Sequence, residues 1–152
     1  VAMLFSGPAA GFVGRRIGPK WPLAAGLAVV AVAALILSQA HSEPWQVLVA
    51  SGLLGLGVGA AFAAMVALIA ENVDVREMGV ATGMNTLVRL IGATVGAQVG
   101  AALLTSQTIF GTSVPAESAF GWAFGLSAAS AALAAVVALS IRRQPLRRLA
   151  TA

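Results

Sequence analysis

Residues 79–106 read GVATGMNTLVRLIGATVGAQVGAALLTS, and the placement of this stretch decides the fold. It is almost wholly apolar and exceeds the roughly 20 residues that one helix needs to cross a bilayer. Near its middle stands one fixed charge, Arg89. Asn85 lies four residues earlier and so shares its helix face. Gly92, Gly96 and Gly100 continue along nearly the same face, at spacings of three, four and four. That face is polar toward Gly79 and bare backbone beyond. Lipid offers such a face nothing, whereas a partner helix or a water-filled path does.

The chain around this stretch has the same character. Of 152 residues, 59% are hydrophobic and 9% are charged, against about 25% charged in a soluble domain. The apolar residues fall in long uncharged blocks rather than periodic stripes. This composition describes an all-α, polytopic membrane protein, with the lipid bilayer as its first partner. Nine Lys and Arg against five Asp and Glu make the chain basic. These residues flank apolar spans, so the positive-inside rule accounts for them and nucleic acid does not. The absence of cysteine excludes disulfides and thiolate chemistry, and His41 alone makes no metal site. No acid pair lies within an apolar span, no Ser-His-Asp group can form there, and no phosphate loop is present. The chain therefore reads as neither an enzyme nor an ATP-driven pump, and no cofactor is expected.

Hydrophobicity divides the chain into four complete spans at about 21–40, 46–70, 75–107 and 118–141, with a tail at 142–152. Residues 1–14 read as the end of a further helix, kinked at Pro8 and too short to cross alone. They carry no basic leader, so they do not read as a signal peptide. The chain is accordingly expected to be a C-terminal fragment of a longer protein. Pro22, Pro44 and Pro115 suit the first turns of helices. Ser42 is expected to cap the second complete span. Asp74 and Glu77 have capping-box spacing, which predicts that Asp74 opens the third.

The charges orient these spans. Arg15, Arg16 and Lys20, then Arg76, then Arg142, Arg143, Arg147 and Arg148 all fall on one side. The turns at 41–45 and 107–117 hold no basic residue. Only Arg89 lies inside the membrane. The basic side, including the C-terminus, is expected to be cytoplasmic. Trp21, Trp45 and Trp122 fall at span ends, as an interfacial aromatic belt requires. The Ala, Gly, Val and Arg usage suits a GC-rich bacterial genome, and hence a bacterial inner membrane.

The first loop, Gly11-Phe12-Val13-Gly14-Arg15-Arg16-Ile17-Gly18-Pro19-Lys20, resembles the cytoplasmic loop signature of the major facilitator superfamily, Gly-x-x-x-Asp-Arg-x-Gly-Arg-Lys. Gly11, Arg16, Gly18 and Lys20 match. Arg15 stands at the acidic position and Pro19 at one basic position, as in the degenerate copy of the C-terminal half. Asn85-x-x-x-Arg89-x-x-Gly92-x-x-x-Gly96 is similar to the penultimate helix of the fourteen-helix drug:proton antiporter branch. The resemblance implies the C-terminal part of a major facilitator fold: four complete transmembrane helices plus the end of a fifth. It also implies that the first two complete helices are an outer and a cavity-lining one, the third meets the other half, and the last is peripheral. Proton-coupled multidrug efflux by alternating access would follow, with the N-terminal helices, a small-molecule substrate and protons as partners.

Each singled-out residue carries a functional and a plainer reading. Arg89 lies about 15 Å along its helix from Gly79, and a charge at the bilayer centre costs about 2.5–3.5 kcal/mol. Either it lines the transport path or half-half interface, or it snorkels to cytoplasmic phosphates. Asn85 and Gln98 are polar lining or interhelical hydrogen-bonding groups. Gly55 and Gly59, like Gly92, Gly96 and Gly100, permit close helix packing, and a smooth glycine face also lets helices slide. The first loop is either a state-dependent switch or a plain orientation signal. Glu71 is a solvated acid or a proton relay. The alternative to a transporter is a small, self-contained scaffold protein that oligomerises through its glycine faces.

Overall fold

A computed structural model describes residues 11, 12, 14, 16–39, 43–106 and 117–140. Four helices follow in order: α1 (Lys20–Gln39), α2 (Pro44–Asn72), α3 (Met78–Ser106) and α4 (Glu117–Ser140). Each is long and apolar enough to cross a membrane. At about 1.5 Å per residue, the 20 residues of α1 extend about 30 Å, the thickness of a hydrocarbon core. The 29 residues of α2 and of α3 reach beyond it. The described residues before Gly18 are helical too. Those before Gly11, the turn at His41 and Ser42, the segment 107–116 and the arginine-rich tail lie outside the described residues.

Local chemistry sets the helix ends. Gly18 has φ 90°, a left-handed conformation that glycine adopts without strain, and its N–H donates to Gly14 O at 2.8 Å. Pro19 follows, which cannot continue the preceding helix. At the start of α2, Glu43 occupies the N-cap with Pro44 next in line. Its backbone N–H donates to Gln46 Oε1 at 3.4 Å. Asp74 acts otherwise than its spacing predicts. Its Oδ1 accepts from Arg76 N–H at 2.9 Å and its carbonyl accepts from Glu77 N–H at 2.9 Å. Asp74 thus closes a tight turn of its own, because a short carboxylate reaches the N–H two residues on. Glu77 then accepts the first helical hydrogen bond, from Ala81 N–H at 3.0 Å, and α3 begins at Met78 rather than near residue 75.

Packing is that of a lipid-exposed bundle. The buried hydrophobic residues are mostly alanines, among them Ala33, Ala34, Ala50, Ala64, Ala119 and Ala128. Large side chains such as Leu48, Val66, Val80, Trp122 and Leu133 point outward. Lipid tails are as apolar as leucine, so close backbone approach and van der Waals contact hold such helices together. Most hydroxyls among the described residues are satisfied within their own helices, as in Thr94 Oγ1 to Leu90 O at 2.9 Å and Ser130 Oγ to Leu126 O at 2.9 Å.

α1 lies at the centre, packed along both α2 and α4. Leu23 and Ala24 of α1 meet Ala61 and Ala64 of α2 and Ala138 of α4 in one cluster. The start of α1 therefore lies beside the later half of α2 and the end of α4. At the other end of α1, a Cβ built on Gly121 would lie 3.5 Å from Ser38 O. α1 thus runs antiparallel to both neighbours. The tightest crossing joins Gly26 to Gly57. A Cβ on Gly26 would lie 2.7 Å from Gly57 O, and one on Gly57 would lie 2.6 Å from Gly26 O. These two helices touch backbone to backbone, and nothing larger than hydrogen fits between them.

α3 is held differently. It makes limited contact with α4 and less with α2, and none of its residues is buried. Its half-buried residues gather at the two ends: Met78, Ala81, Asn85 and Thr86 at one, Gly100, Leu103 and Leu104 at the other. Every residue from 87 to 99 is exposed.

Candidate functional site: the seam between α2 and α3

Ala61 faces α1 at the Gly26–Gly57 crossing, since Ala61 N would lie 2.9 Å from a Cβ on Gly26. Phe62, one residue on, is turned about 100° away around the helix. It points into the seam with α3, where the Arg89 guanidinium carbon lies 4.7 Å from the centroid of its ring. The pair meets at matched depth. Phe62 stands ten residues before the end of α2, and Arg89 eleven past the start of α3. Both are therefore about 15–17 Å from the shared helix-turn end, in the middle portion of helices about 43 Å long. A cation over an aromatic face within about 6 Å is attracted by the ring quadrupole, worth about 0.5–2 kcal/mol depending on desolvation. No carboxylate pairs with Arg89 among the described residues. The ring supplies no lone pair, so the five guanidinium N–H donors remain available.

The structure gathers some of the predicted site residues here. Asn85 lies one turn before Arg89 on the same face and is half-buried, with no hydrogen bond from its side chain among the described residues. Gly92 and Gly96 follow on that face, and a Cβ on either would meet nothing within 4 Å. The same holds for Gly100, which lies near the end where α3 regains contact. Across the seam, Gly55, Gly59 and Phe62 share one face of α2, at spacings of four and three. Because α2 and α3 run antiparallel, Gly59 lies level with Gly92 and Gly55 with Gly96. The two glycine rows share a level but not an environment: Gly59 is buried, whereas Gly92 and Gly96 are exposed. Gln98 is not part of this group. It is exposed and lies nine residues past Arg89, half a turn round, so it faces away from the seam.

The glycines of α2 divide between two faces. Gly57, with Ala61 and Ala64, packs against α1. Gly55 and Gly59, singled out in the sequence for packing, lie on the side of Phe62; Gly59 is buried and Gly55 half-buried. Phe62 itself carries no motif. The signal available for it was its helical spacing from Gly55 and Gly59, together with the need of Arg89 for a partner at equal depth.

The first loop forms a second cluster. Arg16 lies over the Phe12 ring at 5.1 Å to the centroid, and Lys20 over Trp21 at 5.4 Å. Gly11 is exposed, with nothing within 4 Å of a built Cβ, and Gly18 makes the left-handed turn. The basic side chains here are held against aromatic rings rather than acids among the described residues. Glu71 and Asn72, at the end of α2, are exposed, and Asn72 Nδ2 donates back to Leu68 O at 2.8 Å.

Charge within the membrane, glycine-walled helices and a basic turn of this pattern are joined by a direct finding. The model of the Major Facilitator Superfamily matches residues 1–151. This chain belongs to that superfamily. The superfamily is one of membrane transporters, not enzymes. Similar relatives include three named multidrug resistance protein MdtG. That of Citrobacter koseri is 36% identical over 106 residues, covering 70% of this chain and 26% of the relative. That of Enterobacter lignolyticus is 36% identical over 103 residues, covering 68% and 24%. That of Salmonella arizonae is 35% identical over 106 residues, covering 70% and 26%. The matched stretch spans about a quarter of the length of these curated relatives. No solved structure is a significant match to the chain.

Proposed function

We propose that this major facilitator chain is the C-terminal part of a secondary transporter that exports drugs or other small molecules. Export would be driven by protons and proceed by alternating access. The observation that carries this reading is the state of α3. A helix with a guanidinium at mid-membrane depth presents residues 87–99 without cover, and a charge there is costly when it faces lipid. The N-terminal helices of the same transporter would complete that surface, with substrate passing between the two parts. The length of the MdtG relatives and their printed description support both the larger partner and the multidrug role. Arg16, Lys20 and Arg76 lie at one end of the bundle, which supports a cytoplasmic assignment for that end and for the C-terminus by the positive-inside rule. A bacterial inner membrane is the matching location. In this reading Arg89 and Asn85 line the path or the half-half interface, and the proton-carrying acids belong to the other helices.

The test is efflux by the full transporter in a drug-hypersensitive bacterial host, with ethidium, norfloxacin and chloramphenicol as probes. Expression should raise the tolerated concentration of at least one probe, and a protonophore should abolish the efflux. Arg89→Gln should lower the rate by about tenfold or more at equal membrane abundance, as expected for an intramembrane charge with a functional role. Absence of export for all three, or full activity of Arg89→Gln, would overturn the reading.

A further inference from the structure

We propose that Phe62 is the positioning residue for Arg89, and that its ring holds the guanidinium in the α2–α3 seam where a carboxylate would otherwise be needed. The inference rests on the reading that Arg89 acts in transport, and it adds a residue that no sequence motif marks. Three observations carry it. The first is the 4.7 Å contact between the Arg89 guanidinium and the Phe62 centroid, on adjoining helices. The second is what aims the ring. The Gly26–Gly57 crossing brings α1 and α2 into backbone contact, and Ala61 on that contact face sets Phe62 about 100° round the helix, toward α3. The third is what else faces Arg89. Asn85 lies on its own helix, and Gly55 and Gly59 share the Phe62 face of α2 without side chains. Among the described residues the ring is the group that can attract the charge.

A ring suits this task better than a carboxylate in one respect. An ion pair would neutralise Arg89 and occupy its N–H donors in bidentate bonds. A cation–π contact stabilises the charge through the ring quadrupole and leaves those donors for an arriving acceptor. The guanidinium stays both oriented and available, three residues from Gly92, where a built Cβ would meet nothing within 4 Å. Phe62 makes no claim on the substrate itself. It acts through Arg89, so its effect should vanish when Arg89 is gone.

The test uses the full transporter in lipid nanodiscs and in cells. With 4-fluorophenylalanine placed at position 62, the fluorine resonance should move on Arg89→Met and stay in place on Gln98→Ala. An unmoved resonance in Arg89→Met would overturn the proposal, whatever the protein transports. In the efflux assay with ethidium, norfloxacin and chloramphenicol, Phe62→Leu should raise KM for the exported probe about 3- to 30-fold, the range implied by cation–π strengths. Phe62→Trp should restore it, since indole is the stronger ring for a cation. In an Arg89→Met background, Phe62→Leu should change KM no further. Equal losses from Leu and Trp, or a full additional loss in the Arg89→Met background, would reduce Phe62 to a packing residue. Failure of export with a fluorine shift intact would instead sink the transport role and leave the pair standing.

Discussion

The seams on the two sides of α2 are built from the same small residue and behave in opposite ways. Toward α1, Gly57 and Gly26 stand at one level, and the helices close until carbonyl oxygens reach the space a methyl group would take. On the α3 side, Gly59 is buried, yet Gly92 and Gly96 at the same level of α3 have nothing within 4 Å of a built Cβ. The difference comes from the neighbours. Val30 lies beside Gly57, and the Ala60 methyl and the Ala61 backbone lie beside Gly26, so small groups fill the crossing without holding it open. Beside Gly59 and Gly92 stands the Phe62–Arg89 contact, two of the bulkiest side chains in the bundle meeting at one depth. Glycine permits close approach without enforcing it.

The largest expected effect falls on the closed seam. Gly57→Val would drive a branched side chain into Gly26 O and Val30, and overpacking of this kind typically costs about 1–3 kcal/mol, with more for a backbone clash. Fluorescence-detected size exclusion of the full transporter should show loss of the folded peak. A normal yield would mean that the two helices separate easily and that the seams are alike after all.

The open seam predicts the reverse. Gly92→Leu should leave the elution profile and membrane abundance intact while lowering export of the transported probe by roughly tenfold, since under the proposed alternating access the added bulk would stand on the uncovered face of α3. If the rate is unchanged, this face of α3 is an ordinary lipid-exposed surface. The smallest effect belongs to Gly96→Ala. With open space around it, a single methyl should change stability by no more than about 1 kcal/mol, the scale of helix propensity. A thermal midpoint within a few degrees of the parent is the expected reading. A collapse comparable to that of Gly57→Val would show α3 to be packed as tightly as α1.

This contrast bears on what could be read before folding. The existence and order of the four helices followed from long apolar runs, because only helices satisfy the backbone in lipid. Their limits moved by one to three residues where a turn competed, as when Asp74 used its carboxylate on Arg76 instead of opening α3. Arg89 stood out because depth makes a charge conspicuous. The identity of the packing glycines was harder. Gly57 lies on one face of α2 and Gly55 and Gly59 on another, and a small-residue spacing names a face without naming its partner. Phe62 was invisible for the same reason. A phenylalanine in an apolar span is unremarked until the register of two antiparallel helices brings a guanidinium to it. The far side assigned to Gln98, by contrast, follows from spacing alone, since nine residues turn a helix by half a circle more than two turns.

The Phe62–Arg89 contact also has a meaning during biosynthesis. Chains emerge from the ribosome N-terminus first, so α2 is made before α3. The ring that receives the guanidinium is therefore synthesised before the charge it must receive. Placed in the other order, the charged helix would arrive at the membrane with no companion and the full insertion penalty. The linear order of the two residues supplies a helper for the least hydrophobic of the four spans at the moment it needs one.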